Sequence, residues 1–158
     1  MNSHLILRPL ITTIFLTTAW IPVHAIDFSY TRQVGHMMCG TEFELADERK
    51  VDGARVISIC KNIAENVFHV NEYKMRPTSS KERFTVIRSG GVDVYVSASS
   101  VLADNSSEIG INFVRLKDIF FVGEGKNESI YLYFLNYDTE GNIDFLTELA
   151  KLYSFYLE

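Results

Sequence analysis

The chain is poor in the residues that build metal sites and nucleophile sites. Its 158 residues include only two cysteines, four histidines and one tryptophan, and no cysteine or histidine spacing matches a zinc site. The stretch "FVGEGKNES" lacks the lysine and hydroxyl order of a phosphate-binding P-loop, and no serine lies in a G-x-S-x-G elbow. We therefore expect no metal, no cofactor and no catalytic residue.

Positive charge is also scarce. The chain has 15 lysines and arginines against 20 acids, a net charge of −5. An acidic field opposes non-specific nucleic-acid binding, which gains its affinity by neutralising phosphates. Any RNA affinity would therefore have to come from a local cluster of cations.

Long apolar runs are confined to the N-terminus. The run "LITTIFLTTAWI" follows Arg8 and is shorter than the roughly 20 residues that a membrane-spanning helix needs. Pro22 then breaks the pattern, and Val23 and Ala25 occupy the positions that a signal peptidase reads. We predict a signal peptide over residues 1–25, a single domain over residues 26–158, secretion, and no membrane segment in the mature form.

The two cysteines, Cys39 and Cys60, lie in the predicted mature part. An even count in an oxidising compartment favours a disulfide, which at this loop length would stabilise the fold by about 3 kcal/mol. The alternative is that Cys60 is a buried, small apolar residue on a helix. The triplets that begin at Asn105 and Asn127 are candidate N-glycosylation sites.

Periodicity predicts one helix early in the chain. The segment "HMMCGTEFE", residues 36–44, reads as a short strand, and the helix follows over residues 46–68 with Asp47 as its N-cap. Apolar residues recur every three or four positions along it and predict one buried stripe: Val51, Ala54, Ile57, Cys60, Ala64 and Val67.

The rest of the chain has the pattern of a sheet. "RFTVIRS" and "VDVYVSAS" flank Gly90 and Gly91 as a hairpin. "INFVRL", "DIFFVGE" and "SIYLYFLNYD" have strand composition, and residues 139–142 read as a turn. The last stretch, "IDFLTELAKLYSFYLE", fits a helix or a strand. We predict an α+β domain with one early helix packed on a curved antiparallel sheet.

The order of several motifs resembles a known family. "MCGT-F", "NEY", "SGGVDVY", "DIFF" and "EGNIDF" follow one another across residues 38–145. This order is similar to that of the small secreted fungal guanine-specific ribonucleases, and closer still to the ribonuclease-like effectors of powdery mildew fungi. Met37 replaces an aromatic residue of that pattern, and the tail "LYSFYLE" lacks the usual second cysteine.

The resemblance implies that the catalytic residues of those ribonucleases are lost. Met75 stands where the family has a histidine, and Phe84 or Thr85 where it has the catalytic glutamate. Lys117 or Asp118 takes the place of the arginine, and Asn136 that of the acid histidine. The remaining histidines, His36 and His69, are expected to be exposed and without a catalytic partner. The alternative is an active secreted hydrolase with an unrecognised site.

The stretch "NEYKMRP" contains the candidate RNA-binding residues Tyr73, Lys74 and Arg76. With Lys81 and Arg83 nearby, they would form a basic strip in which the tyrosine stacks on a base. The alternative is a solvated face, because Glu72 and Glu82 dilute the charge.

The resemblance implies a secreted virulence effector that is not an enzyme. It would act by binding host plant proteins, with weak RNA binding as a second activity, and plant immune receptors would recognise it. The host cell would be a further destination after secretion.

Overall fold

The computed structural model describes residues 35–99, 110–123, 126–135 and 139–157. The predicted signal peptide, the sequon at Asn105 and the position of Asn136 lie outside these ranges. No helix within them is long and apolar enough to cross a membrane.

A six-stranded mixed sheet forms the centre of the domain. The strands follow the spatial order β2-β1-β3-β5-β4-β6. Strand β1 pairs in parallel with β2 and with β3. The pairs β3–β5, β5–β4 and β4–β6 are antiparallel. Their bounds are β1 His36–Glu42, β2 Glu72–Thr78, β3 Val94–Ser97, β4 Ile111–Gly123, β5 Lys126–Leu135 and β6 Phe155–Leu157.

The α+β class is confirmed, but the purely antiparallel sheet is wrong. Helices connect β1 to β2 and β2 to β3, and parallel neighbours need such a crossover because a tight hairpin can only reverse the chain. The described residues contain three α-helices: α1 Val51–Ile63, α2 Arg83–Arg88 and α3 Thr139–Leu152.

The early helix is confirmed, but its buried face differs from the predicted one. Helix α1 continues into a π-helical turn, Ala64–Phe68, and its N-cap is Lys50 rather than Asp47. Val51 is 67% exposed. The side that packs on the sheet consists of Gly53, Val56, Ile59, Cys60 and Ile63. Of the predicted stripe, Cys60 in α1 and Ala64 and Val67 in the π-helical turn are buried, whereas Val51 and Ala54 are exposed and Ile57 is half-buried.

Three local predictions are wrong. The segment "RFTVIRS" forms helix α2 instead of a hairpin strand. "INFVRL" and "DIFFVGE" are one continuous strand, β4, which is irregular between Arg115 and Phe120 and passes through a positive φ of 57° at Asp118. Residues 139–142 begin helix α3 rather than a turn, and this helix resolves the ambiguity of the last stretch before β6.

The core has two parts, one on each face of the sheet. On the first face, α1, the π-helical turn and α3 pack on alternate residues of β1, β3, β4 and β5. On the second face, the short helix α2 covers an aromatic group that includes Tyr95, Phe113 and Tyr133.

A disulfide joins the sheet to α1. Cys39 of β1 and Cys60 of α1 are both fully buried and are bonded, with a Cα–Cα distance of 6.0 Å. This confirms the predicted pairing, and it excludes the alternative in which Cys60 is a free apolar residue.

Candidate functional site

The carboxyl ends of the three parallel strands meet at one edge of the sheet. β1 ends at Glu42, β2 at Thr78 and β3 at Ser97, and Glu42 and Thr78 are register partners. All three side chains are buried polar groups. In open α/β sheets this edge is the usual place for ligands. We call Glu42, Arg83, Ser97 and Ser99 the edge cluster.

Ser97 connects the Glu42 carboxyl to the Arg83 guanidinium within the edge cluster. Its hydroxyl donates a hydrogen bond to Glu42 Oε1 and accepts one from Arg83 Nη1 at 3.0 Å. The Ser99 amide donates to the same Ser97 oxygen at 3.1 Å. A serine hydroxyl has one proton and two lone pairs, so these three bonds use its full capacity.

Arg83 is buried and almost fully bonded. Helix α2 places it with 1% exposure. Its Nε donates to the Ser80 carbonyl, Nη1 to Ser97 Oγ and the Ser99 carbonyl, and Nη2 to Ser99 Oγ, each at 3.0 Å. The guanidinium also lies 5.0 Å from the centroid of the Tyr133 ring. Most hydrogen-bond donors of this guanidinium are therefore already used within the protein.

Glu42 keeps one open acceptor. Its Oε2 atom is buried and has no hydrogen-bond partner among the described residues. Burial raises the pKa of the Glu42 carboxyl, while the hydrogen bond from Ser97 and the charge of Arg83 lower it. A buried acceptor without a partner is costly. This atom is thus suited to a ligand that donates a hydrogen bond.

Tyrosines support the edge cluster from the second face of the sheet. The Tyr95 hydroxyl donates to the Thr78 carbonyl at 3.4 Å, and the Tyr133 hydroxyl donates to the Ser99 carbonyl at 2.9 Å. Burial raises the pKa of Tyr95, so its hydroxyl stays protonated. Beside the cluster, Phe43 follows Glu42 directly and is 62% exposed.

The predicted basic strip is not assembled. Tyr73 lies on β2 and packs against the core on the first face of the sheet. Lys74 and Arg76 alternate with it, are exposed, and point to the other face. Arg83 is buried in the edge cluster. RNA binding by Tyr73, Lys74 and Arg76 stays a prediction, although the tyrosine lies on the opposite face of β2 from the two cations.

The positions that stand for ribonuclease residues are scattered. Met75 is half-buried on β2, and Phe84 on α2 packs against Tyr133 with ring centroids 5.9 Å apart. Lys117 lies on β4 over the Tyr156 ring at 4.1 Å. These side chains occupy different elements and share no site.

The other predicted positions lie away from the edge cluster. Half-buried His36 begins β1, and exposed His69 ends the π-helical turn with a φ of 56°. Asn127 is exposed on β5, opposite Val122. No group of three or more metal-ligating side chains occurs among residues 35–99, 110–123, 126–135 and 139–157.

The edge cluster was missed because the sequence interpretation assumed an antiparallel sheet. In such a sheet the carboxyl ends of neighbouring strands lie at opposite edges. A glutamate and a serine at the ends of two predicted strands are a weak signal. They become informative only when the strands are known to be parallel.

No family model matches the chain, and no curated protein matches it significantly. Among solved structures, a point mutant of the arginine-bound domain 1 from TmArgBP is similar, with a TM-score of 0.53 and 20% identity. This match covers 81% of the chain and 98% of that domain.

The parent arginine-bound domain 1 has a TM-score of 0.51 and 19% identity, over 77% of this chain and 97% of that one. A periplasmic binding protein of an ABC transporter from Brucella ovis, with glutathione bound, has a TM-score of 0.39 and 19% identity. That match covers 55% of this chain and 32% of its own.

These likenesses correct the ribonuclease interpretation. The fold is similar to that of domain 1 from TmArgBP, and β1 of this chain pairs in parallel with β2 and β3. The resemblance to ribonuclease-like effectors is wrong, and so is the effector function that rested on it. The short motifs that carried the resemblance lie on elements with a different arrangement in space.

Proposed function

We propose that this chain binds a small polar solute at the edge cluster, and that the Glu42 carboxylate receives a donor group of that solute. The observation that carries the proposal is the buried Oε2 atom, which has no partner among the described residues, at the edge where three parallel strands end. The similarity of the fold to an arginine-bound domain supports it.

The chemistry of the edge cluster favours a cationic solute. Charged donors form the strongest hydrogen bonds with carboxylates, and Glu42 offers one oxygen for such a bond. Phe43, the next residue in the chain, is exposed and supplies an aromatic ring for the apolar or cationic part of the solute. A guanidinium or ammonium compound such as arginine has the required groups.

Binding without catalysis is part of the same proposal. Ser97, the hydroxyl nearest to the carboxylate, is fully buried and already bonded on all sides. We also propose secretion or export to an oxidising compartment, because the Cys39–Cys60 disulfide is typical of such proteins.

The test is a comparison of solutes by calorimetry and thermal shift. Arginine and lysine are expected to bind and to raise the melting temperature, whereas citrulline, in which a neutral urea replaces the guanidinium, should bind more weakly. Glu42→Gln should weaken the binding of arginine at least about tenfold, because a hydrogen bond to a charged group contributes about 1.5–3 kcal/mol.

Glu72→Gln is the matched control, since Glu72 is an exposed carboxylate on β2. It should leave the affinity for arginine unchanged. If none of the cationic solutes binds, or if Glu42→Gln binds them as well as the parent, the proposal fails.

A further inference from the structure

We infer that Arg83 is a positioning residue of the edge cluster: it aims the Ser97 hydroxyl at Glu42 and fixes the chain at Ser99, and it does not receive an anionic group of the solute. This inference rests on the proposed function in one respect only, that the solute meets Glu42.

The hydrogen bonds of Arg83 carry the first step. A guanidinium has five N–H groups, and Arg83 uses four of them on Ser80, Ser97 and Ser99. With 1% exposure it has almost no contact with solvent. A carboxylate of a solute would therefore have to displace existing bonds before it could form the usual two-pronged contact with this arginine.

The direction of the Ser97 proton is the second step. Arg83 Nη1 and the Ser99 amide both donate to Ser97 Oγ, which leaves the hydroxyl proton for an acceptor. Three acceptors are near: the Ser99 carbonyl at 3.2 Å, the Ser99 hydroxyl at 3.3 Å, and Glu42 Oε1. The carboxylate is the charged acceptor among them, so it takes the proton. Glu42 Oε1 is thereby occupied, and Oε2 is left for the solute.

The anchoring of the Ser99 carbonyl is the third step. It accepts hydrogen bonds from Arg83 Nη1 at 3.0 Å and from the Tyr133 hydroxyl at 2.9 Å. Ser99 is itself exposed. Arg83 and Tyr133 thus hold the chain where it leaves β3, directly beside the strand ends that form the site.

Arg83 also affects the ionisation of Glu42 through its charge. The charged and titratable groups that act on this part of the edge are Arg83, Glu44, Glu82 and Tyr95. Arg83 is the cation among them. Its removal should therefore make the Glu42 carboxyl harder to ionise, which a purely structural role of Arg83 would not require.

The first measurement needs no solute. The ¹³C signal of the Glu42 side-chain carboxyl is followed by NMR against pH in the full chain and is assigned by its loss in Glu42→Gln. Arg83→Met and Ser97→Ala should each move the titration midpoint to higher pH. Arg83→Lys, which keeps the charge, should move it less than Arg83→Met.

Arg76→Met is the matched control, because Arg76 is an exposed arginine on β2 that donates a hydrogen bond to the Gly91 carbonyl at 3.1 Å. It should leave the midpoint where the parent has it. Circular dichroism identifies any variant that does not fold, and Arg83→Lys then stands in for Arg83→Met. An unchanged midpoint in a folded Arg83 variant would overturn the inference.

The second measurement separates positioning from direct contact. Agmatine keeps the guanidinium, the aliphatic chain and the amine of arginine but lacks the carboxylate. Arg83→Lys should weaken the binding of arginine and of agmatine by the same factor, about tenfold, because it disturbs a hydrogen bond to a charged group. A loss confined to arginine would show that Arg83 binds the carboxylate and would overturn the inference.

The two measurements fail independently. If neither arginine nor agmatine binds the parent protein, the proposed function fails, while the Glu42 titration still decides whether Arg83 positions the cluster. If both bind and the Arg83 variants change neither the titration nor the affinities, the proposed function stands and the inference is wrong.

Discussion

Gly40 lies directly against the ring of Tyr95 on the neighbouring parallel strand. The two residues are register partners, and a Cβ atom placed on Gly40 would lie 2.5 Å from Tyr95 Cδ2. The ring is fully buried, and its hydroxyl donates to the Thr78 carbonyl. The close approach of β1 and β3, two residues before Glu42, therefore depends on the absence of a side chain at Gly40.

Gly40→Ala is expected to destabilise the domain by about 1–3 kcal/mol, the usual effect of overpacking a core. Urea unfolding measures it. Tyr95→Leu in the same chain should make the effect of Gly40→Ala smaller than in the parent, because the clashing ring is gone. Equal effects in the two backgrounds would contradict this account.

Removal of the disulfide should cost about 3 kcal/mol, because the unfolded chain regains the freedom of a loop whose ends are 21 residues apart. The Cys39→Ala, Cys60→Ala double variant and the reduced parent should both unfold at lower urea concentration. Intact mass should rise by about 2 Da on reduction. Two thiols that react with iodoacetamide in the native, unreduced protein would be the contrary result.

Acidification should stabilise the unliganded domain through Glu42. The pKa of this carboxyl is raised above 4.5 by burial, so the folded protein binds the proton more tightly than the unfolded chain. The stabilising contribution is complete below pH 4.5 and is lost as the pH rises through the raised pKa of the folded state.

Melting temperatures of the parent and of Glu42→Gln, measured from pH 4 to pH 8, check this sign. The melting temperature of Glu42→Gln relative to that of the parent should increase as the pH rises, and the variant should be the more stable of the two at neutral pH. Glu72→Gln should follow the parent. A Glu42→Gln protein that is less stable than the parent at neutral pH would refute the prediction.

The outer edge of β4 should open when Asp52 is removed. Asp52 Oδ1 accepts a hydrogen bond from the Val122 amide at 2.7 Å, and Arg55 donates to the Phe120 carbonyl. Asp52→Ala should therefore increase hydrogen exchange at the Val122 amide, with a stability loss of about 1 kcal/mol. Asp47→Ala is the control, because Asp47 bonds with its neighbour Arg49. Unchanged exchange at Val122 in Asp52→Ala would count against this role.

Local patterns in the sequence determined several elements. The β-branched and aromatic runs became β3, β4 and β5, and the long apolar repeat became α1. The even cysteine count predicted the disulfide. These features depend on side chains a few positions apart, or on the chemistry of one residue type, and both are visible in a single sequence.

The tertiary structure decided which face of α1 is buried and what "RFTVIRS" becomes. Along the first turns of the helix the predicted repeat Val51, Ala54 and Ile57 competes with the repeat Gly53, Val56 and Ile59, and contact with the sheet buries the second. The six residues Arg83–Arg88 are too few for a helical period to stand out against a strand. They form a helix because Val86 and Ile87 pack on Tyr95 and Tyr133.

The candidate site is a product of strand order and direction. Glu42 and Arg83 are 41 positions apart in the sequence, and nothing local to either indicates that both reach Ser97. They meet because β1, β2 and β3 run parallel and their carboxyl ends share one edge. The sequence by itself determined the types of the main elements and the bonded cysteines. Long-range pairing, which depends on the free energy of the whole packed sheet, decided which polar residues form a site.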